Sequence, residues 1–150
     1  MKTNMEFREA KKEDLTHVLK LYKQLAKTPV PKPDDRIKGI WSEILADKNN
    51  HVVVGIVDNS IVSSCVIVIV KNLTHSGRPY ALIENVITDV AYRNKGYGTQ
   101  TLDFARLIAK KENCYKIMLL TGRKTDDILN FYRHAGYNSN DKTAFIQWLD

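Results

Sequence analysis

The chain has 150 residues, a length that fits one domain, because single hydrophobic cores usually divide only beyond about 250 residues. Hydrophobic residues make up 43% and charged residues 27%, which excludes a disordered or collagen-like chain and permits a buried core. The formal net charge of +6 favours an anionic partner, such as a nucleic acid, an acidic surface or a phosphorylated ligand, and does not choose among them.

The cysteines and the apolar runs indicate the compartment. Cys65 and Cys114 show no CxxC or Cys-His spacing, so we expect two reduced, packed thiols rather than a disulfide framework or a zinc site. The N-terminal residues contain no apolar segment, and the longest strongly apolar run, residues 65–70, is far shorter than the roughly 20 residues that span a bilayer. We therefore expect a soluble, cytoplasmic protein without membrane contacts.

Two amphipathic helices are predicted in the first third of the chain. The first has apolar residues at helical spacing, namely Leu15, Val18, Leu19, Tyr22, Leu25 and Ala26. A proline-rich break at residues 29–33 ends it. The second follows a cap at Asp34, ends near residues 49–50 and repeats the spacing with Ile37, Ile40, Trp41, Ile44 and Leu45.

Three strands follow. Residues 51–57 and 61–71 are β-branched runs separated by Asp58-Asn59-Ser60, polar residues that tolerate a tight turn, so they predict a hairpin. After a polar loop, residues 80–88 predict another strand, which carries an acidic residue, Glu84.

The second half alternates strands and helices. A turn containing Gly96 and Gly98 precedes a helix over residues 99–112 and a strand over residues 116–120. Another helix begins near Asp126 and ends at Gly136, and residues 143–149 predict a closing strand. This alternation indicates an α/β domain built on a mixed sheet.

The segment 93–99, R-N-K-G-Y-G-T, lies between a predicted strand and a predicted helix. Glycines there let the backbone turn tightly and bring N–H groups to the positive end of the helix dipole, which is a phosphate-binding arrangement. A dinucleotide-binding G-x-G-x-x-G would need a third glycine where this chain has Thr101, and a P-loop would need G-K-[ST]. The sequence therefore predicts an anion site that fits neither nucleotide motif.

As R-x-x-G-x-G after a strand, residues 93–98 resemble the acyl-CoA pyrophosphate loop of the GNAT N-acetyltransferase superfamily. The resemblance extends to I-E-N-V at residues 83–86, similar to the family's fourth strand, and to the helix over residues 99–112. It also includes F-Y at 131–132 followed by G-Y at 136–137, similar to the family's C-terminal F-Y-x-x-x-G-[FY] signature.

The resemblance implies the GNAT fold, a central mixed sheet flanked by helices, in a single domain over residues 1–150. It implies an acetyl-CoA-dependent N-acetyltransferase, and residues 83–86 and 114–117 look most like glucosamine-6-phosphate N-acetyltransferases. The implied cofactor-binding residues lie at the end of the fourth strand and in the loop, namely Ile87, Thr88, Arg93, Asn94, Lys95, Gly96, Tyr97, Gly98 and Thr99.

Acetyl transfer to an amine needs a base, because an alkylammonium ion with a pKa near about 10.4 must first lose a proton. Glu84 fits this role, directly or through water. The alternative is a salt bridge with a basic neighbour, a structural cap or a simply solvated carboxylate. The resemblance makes Tyr132 the group that protonates the departing thiolate, whereas its apolar helix face alone would predict a core aromatic. The family commonly has an asparagine seven residues before this tyrosine; that position is Thr125 here, and Asn130 is the substitute candidate for holding the cofactor.

The histidines show no metal-ligand spacing and no nucleophile triad emerges, so we assign no metal and favour direct attack in a ternary complex, with Cys65 left open as a nucleophile. The predicted acceptor is the primary amine of a small molecule. Protein or peptide acetylation and a non-catalytic CoA- or nucleic-acid-binding module remain alternatives, although dispersed basic residues give no nucleic-acid signature. A homodimer also remains open.

Overall fold

A computed structural model describes residues 4–25 and 29–150. The backbone divides into two compact units, Met1–Leu119 and Leu120–Asp150. The single domain over residues 1–150 remains a prediction.

The first unit contains a five-stranded mixed sheet in the order β1-β2-β3-β4-β5. Neighbouring strands are antiparallel except β4 and β5, which are parallel. The strands are β1 Glu6–Glu9, β2 Asn50–Val57, β3 Ser60–Val70, β4 Tyr80–Thr88 and β5 Ile117–Leu119. The expected mixed sheet is therefore confirmed.

Helices connect these strands. Their bounds in the first unit are α1 Leu15–Leu25, α2 Asp35–Ala46, the single turn α3 Thr74–Gly77, and α4 Tyr97–Lys111. Short 3-10 turns lie at Lys12–Asp14 and Val90–Tyr92. Across the described ranges, no helix has the length and apolar character needed to cross a membrane.

The sheet is covered on both faces. Val52 and Val54 of β2 form one buried cluster with Leu15, Val18 and Trp41 of α1 and α2. The other face packs on α4, where the Phe7 and Phe104 rings stack with centroids 5.5 Å apart. Because Phe7 pairs with Gly55, the neighbour of Val54, the two sets of side chains point to opposite faces.

Local sequence signals are confirmed at several element boundaries. Asp58 and Asn59 join β2 to β3 with left-handed φ angles of 48° and 63°, as a tight hairpin turn requires. Asp34 caps α2 by accepting a hydrogen bond from the Ile37 N–H at 2.9 Å. Ala26, the last apolar position of the predicted first helix, lies outside the described residues.

The second unit contains α5, Asp126–His134, followed by Gly136 in the left-handed conformation with a φ of 96°, as expected. The strand predicted at residues 143–149 is wrong, since these residues form no secondary structure and all are exposed. Apolar alternation does not suffice for a strand, because a strand forms only where a neighbour accepts and donates its backbone hydrogen bonds.

An ion pair joins β1 to the turn before α1. Arg8 donates from Nη1 to Asp14 Oδ2 at 2.6 Å and from Nη2 to Oδ1 at 3.2 Å. The Lys11 N–H also donates to Asp14 Oδ2, at 2.7 Å. The Asp14 side chain is only 7% exposed, and the Arg8 hydrogen bonds lower its pKa in spite of burial, which raises it.

We predict that Asp14→Asn lowers the free energy of unfolding by about 2 kcal/mol at pH 7, because it leaves the Arg8 charge without its partner. Since folding lowers the pKa of Asp14, this stabilisation is present above the unfolded-state pKa of about 3.9 and is lost as the pH falls through the folded-state value. Urea unfolding of both proteins from pH 7 to pH 3 measures this, and their stabilities should converge in acid.

The control is Asp103→Asn, which removes an exposed pair with Arg106 at 3.8 Å and should cost less than about 0.5 kcal/mol. Equal losses from the two substitutions would contradict the role given to Asp14.

Candidate functional site

Strand β4 has an open edge. It pairs with β3 as far as Thr88, but β5 pairs only with Ala81, Leu82 and Ile83. In the described part of the chain, residues 84–88 therefore have no strand partner on the β5 side. Backbone groups along this edge are available to an extended ligand.

A β-bulge bends β4 where this open edge begins. Val66 pairs with Glu84 and Ser64 with Ile87, so two residues of β4 lie opposite the single residue Cys65. Asn85, in the bulge, has a left-handed φ of 53°. The inside-outside alternation breaks at the same place, and Glu84 and Asn85 are both exposed.

Tyr22 of α1 contacts this bulge. It packs against the cluster formed by α1, α2 and the sheet, and its hydroxyl is hydrogen-bonded to the Asn85 side chain. Burial raises the pKa of Tyr22 to about 12, and the hydrogen bond with Asn85 opposes that rise. The contact therefore joins a helix to the residue whose backbone is left-handed.

The loop after β4 leads into the N-terminus of α4. Asn94 and Gly96 have left-handed φ angles of 63° and 82°, and Gly96 is the N-cap. The first N–H groups of α4, those of residues 97–99, have no acceptor within the helix. Gly98 lies inside the first helical turn, so of the two glycines only Gly96 provides the left-handed turn.

A buried pair of hydroxyl groups holds this end of α4 on the sheet. Ser63 Oγ of β3 and Thr101 Oγ1 of α4 are 2.7 Å apart, and Thr101 Oγ1 donates to the Tyr97 carbonyl at 2.8 Å. The Tyr97 side chain packs with Val57 and Val62. Tyr97 can therefore offer only its backbone to a ligand.

Side chains also brace the loop. Arg93 donates from Nε to the Thr88 carbonyl at 3.0 Å, and Gln24 Oε1 accepts from the Val90 N–H at 2.9 Å. Lys95 Nζ lies 5.5 Å from the centre of the Tyr92 ring. Arg93 and Lys95 are both exposed, which leaves their charges accessible to an anion.

The proposed catalytic residues lie in different units. Glu84 is exposed on β4 in the first unit and makes no ion pair with any described residue, so the salt-bridge reading finds no support. Tyr132 lies on α5 in the second unit, where its ring contacts Phe131 at 4.9 Å and Tyr137 at 6.4 Å. Asn130 accepts a hydrogen bond from Arg133 Nη1 at 3.1 Å through its side-chain oxygen.

Two further observations concern the chemistry available. Cys65 is fully buried, and burial raises the pKa of its thiol to about 12, so it does not supply a thiolate nucleophile. Among residues 4–25 and 29–150, no cluster of three histidine, cysteine or acidic side chains has metal-binding geometry.

Sequence reasoning missed three residues of this region: Tyr22, Asn85 and Thr101. Tyr22 has the spacing of a helix core position. Thr101 enters the sequence argument only because a dinucleotide-binding motif would need a glycine at its position. Asn85 carried a usable signal, because asparagine inside a β-branched strand tolerates the left-handed conformation that a bulge can require.

Comparison with known proteins gives the family. The model of the acetyltransferase (GNAT) family matches residues 13–137, which is most of the chain. The chain therefore belongs to the GNAT acetyltransferase family, and it is an acyltransferase.

Individual relatives agree with this result. A glucosamine 6-phosphate N-acetyltransferase from Trypanosoma brucei brucei is 26% identical over 147 residues, covering 93% of this chain and 92% of that protein. A putative acetyltransferase from Agrobacterium tumefaciens str. C58 is 34% identical with a TM-score of 0.89, covering 95% of this chain and 99% of the other. A predicted acetyltransferase from Clostridium acetobutylicum, solved with acetyl-CoA, shares the fold at 20% identity and a TM-score of 0.75, covering 96% of each chain.

We predict that Tyr22→Phe loosens the β4 bulge while the ring keeps its packing. Loss of one hydrogen bond of about 1 kcal/mol should speed hydrogen exchange at the amides of residues 85–87 by about fivefold to tenfold. Exchange followed by NMR measures this, with Tyr92→Phe as the control. Unchanged exchange at these amides would show that Tyr22 does not hold the bulge.

Proposed function

We propose that this acetyltransferase moves an acetyl group from acetyl-CoA to a primary amine of a small molecule by direct attack in a ternary complex. The observation that carries the proposal is the continuity of two features in the first unit. The open edge of β4 at residues 84–88 runs, through a braced loop, into the N-terminus of α4, where no side chain caps the helix. An extended chain that ends in a pyrophosphate fits such a surface.

The chain's own groups would bind the cosubstrate. N–H groups at residues 97–99, in the positive end of the α4 dipole, donate to pyrophosphate oxygens, and Arg93 and Lys95 add screened attraction. Backbone groups near Ile87 bind the pantetheine arm and polarise the thioester carbonyl. The Thr88 carbonyl already accepts a hydrogen bond from Arg93, so at Thr88 the backbone N–H is the group that would bind the cosubstrate.

The transfer step needs three proton movements. Glu84, directly or through water, takes a proton from the acceptor ammonium, and the freed nitrogen lone pair attacks the thioester carbon. The new C–N bond replaces the C–S bond, and the departing thiolate takes a proton from Tyr132. The acceptor nitrogen must lose a second proton to become an amide nitrogen, and the tyrosinate takes that proton, which restores Tyr132. Asn130 is proposed to help hold the cosubstrate from α5. With Cys65 protonated and buried, direct attack is favoured over an acyl-enzyme route.

Amino sugars are the first acceptors to test, because a relative at 26% identity is a glucosamine 6-phosphate N-acetyltransferase. Thiol release from acetyl-CoA can be measured with glucosamine 6-phosphate, aminoglycosides, polyamines, amino acids and peptides. Turnover of peptides alone would replace the small-molecule proposal with protein acetylation.

We predict that Gly98→Val abolishes acetyl-CoA binding, because a branched side chain in the first turn of α4 crowds the approach of the phosphates to the backbone N–H groups. Calorimetric titration with acetyl-CoA measures the affinity, and circular dichroism checks the fold. The control is Gly39→Val, a helical glycine with open space around its added Cβ, which should bind normally. Equal affinity in the two variants would contradict the proposed phosphate site.

We predict that Tyr132→Phe lowers kcat by about 10²-fold, with acetyl-CoA affinity nearly unchanged. The ring remains, and only the proposed proton donor is lost. General-acid assistance speeds a reaction by about 10²–10⁴-fold, and we expect the lower end of this range because a thiolate whose thiol has a pKa near about 8.5 is already a good leaving group. Tyr115→Phe, in a ring that stacks on His75 at 3.8 Å, is the control. A near-normal kcat with only a lower Tm would make Tyr132 a packing residue.

A further inference from the structure

Tyr22 places a hydroxyl group in the packed layer between α1 and the sheet. Its ring lies against the cluster that contains Leu15, Val18 and Trp41, and burial raises the pKa of the phenol to about 12. Packing alone would be served by phenylalanine or leucine, because a buried hydroxyl group adds a desolvation cost unless it is hydrogen-bonded. The Tyr22 hydroxyl is hydrogen-bonded to the Asn85 side chain. This hydrogen bond therefore needs an explanation beyond packing.

Glu84, the proposed base, lies on the same face of the sheet as Tyr22. Glu84 pairs with Val66 of β3, and residues directly opposite each other on two strands point to the same face. Val66 packs against the cluster of α1 and α2 that Tyr22 also contacts. The Tyr22 hydroxyl therefore reaches β4 at the residue that directly follows Glu84.

The backbone of Asn85 sets the direction of its neighbours on β4. Its φ of 53° is a conformation that costs free energy in any residue with a Cβ, although asparagine tolerates it better than most. Glu84 lies opposite Val66 and Ile87 lies opposite Ser64, so β4 advances three residues while β3 advances two. If Asn85 relaxed to an extended φ, this register would be lost and side chains on one side of the bulge would change face. The direction of Glu84 relative to the backbone near Ile87 thus depends on the Asn85 conformation.

We propose that Tyr22 is a positioning residue of the acyl transfer. Its hydrogen bond holds Asn85 in the left-handed conformation and thereby holds the Glu84 carboxylate toward the acceptor amine. This inference rests on the proposed function, in which Glu84 is the base. Tyr22 itself moves no proton, since it acts only through Asn85.

Kinetics of Tyr22→Phe are the first test. Loss of one hydrogen bond should lower kcat/KM for the acceptor by about fivefold to tenfold, while acetyl-CoA affinity stays within about twofold of wild type. The acceptor is glucosamine 6-phosphate or, if that is not turned over, the best acceptor in the thiol-release measurement. Tyr80→Phe is the matched control, because Tyr80 lies on the same strand outside the bulge, and its kcat/KM should be normal.

A double-mutant cycle separates positioning of Glu84 from a general structural effect. In a Glu84→Gln background, Tyr22→Phe should slow the reaction by less than about twofold, because the carboxylate that Tyr22 positions is already absent. At a pH above the pKa of the acceptor's ammonium group the amine needs no base, so Tyr22→Phe should also approach the wild-type rate there. Equal losses in the two backgrounds, or at both pH values, would assign Tyr22 to packing and overturn the proposal.

Carboxyl ¹³C NMR tests the positioning without any acceptor. In a chain labelled at the side-chain carboxyl of glutamate, the Glu84 resonance is identified by its loss in Glu84→Gln. This resonance should shift in Tyr22→Phe and stay in place in Tyr80→Phe. A Glu84 resonance that is unchanged in Tyr22→Phe overturns the proposal whether or not an acceptor is found. A shifted resonance combined with a normal kcat in Glu84→Gln would refute the proposed base, and with it the catalytic role of Tyr22, while the contact itself would stand.

Discussion

Every backbone N–H and C=O of a strand needs a partner, and among the residues that the structure describes, strands accompany β4 along its full length on one edge only. It pairs with β3 as far as Thr88, while β5 is short and parallel and accompanies it for three residues. The free edge lies beside the bulge at Asn85 and leads to the α4 loop. The candidate site is thus a consequence of a sheet that is incomplete by five residues along one strand.

The N-terminal end of α4, the proposed phosphate site, is held by a contact made from the opposite side of the helix. The Thr101 hydroxyl is hydrogen-bonded to the buried Ser63 hydroxyl and also donates to the Tyr97 carbonyl. These bonds hold the first turn of α4 on β3 without using the turn's own N–H groups. Those groups remain directed along the helix axis, where the dipole makes them favourable for phosphate. The packing contact and the N–H groups of the proposed phosphate site therefore lie on different sides of one helical turn.

Much of this fold is readable from local chemistry. Asp58-Asn59 tolerates left-handed angles, Asp34 caps a helix, and Gly136 ends one, and each signal is confirmed because it depends on neighbouring residues alone. The family also follows from short motifs. Contacts between distant segments cannot be predicted in this way. Nothing in the sequence near Tyr22 predicts its contact with Asn85, and nothing near Thr101 predicts its hydrogen bond with Ser63.

The prediction at residues 143–149 was wrong for a related reason. Alternating apolar residues indicate that a segment is suited to a sheet, but they do not say which strand edge is available to pair with it. Glu84 and Tyr132 illustrate the same distinction for function, since their residue types agree with the family motif while their catalytic roles remain predictions.

The burial of Cys65 has a consequence for an enzyme that would release a thiol at every turnover. Burial raises the pKa of the Cys65 thiol to about 12, so the thiol is protonated at pH 7, whereas the thiolate is the form that attacks peroxide and disulfides. The core thiol is therefore protected from forming mixed disulfides with oxidised coenzyme A. Oxidative damage to the protein should begin at the half-buried Cys114 and leave the strand opposite the bulge intact.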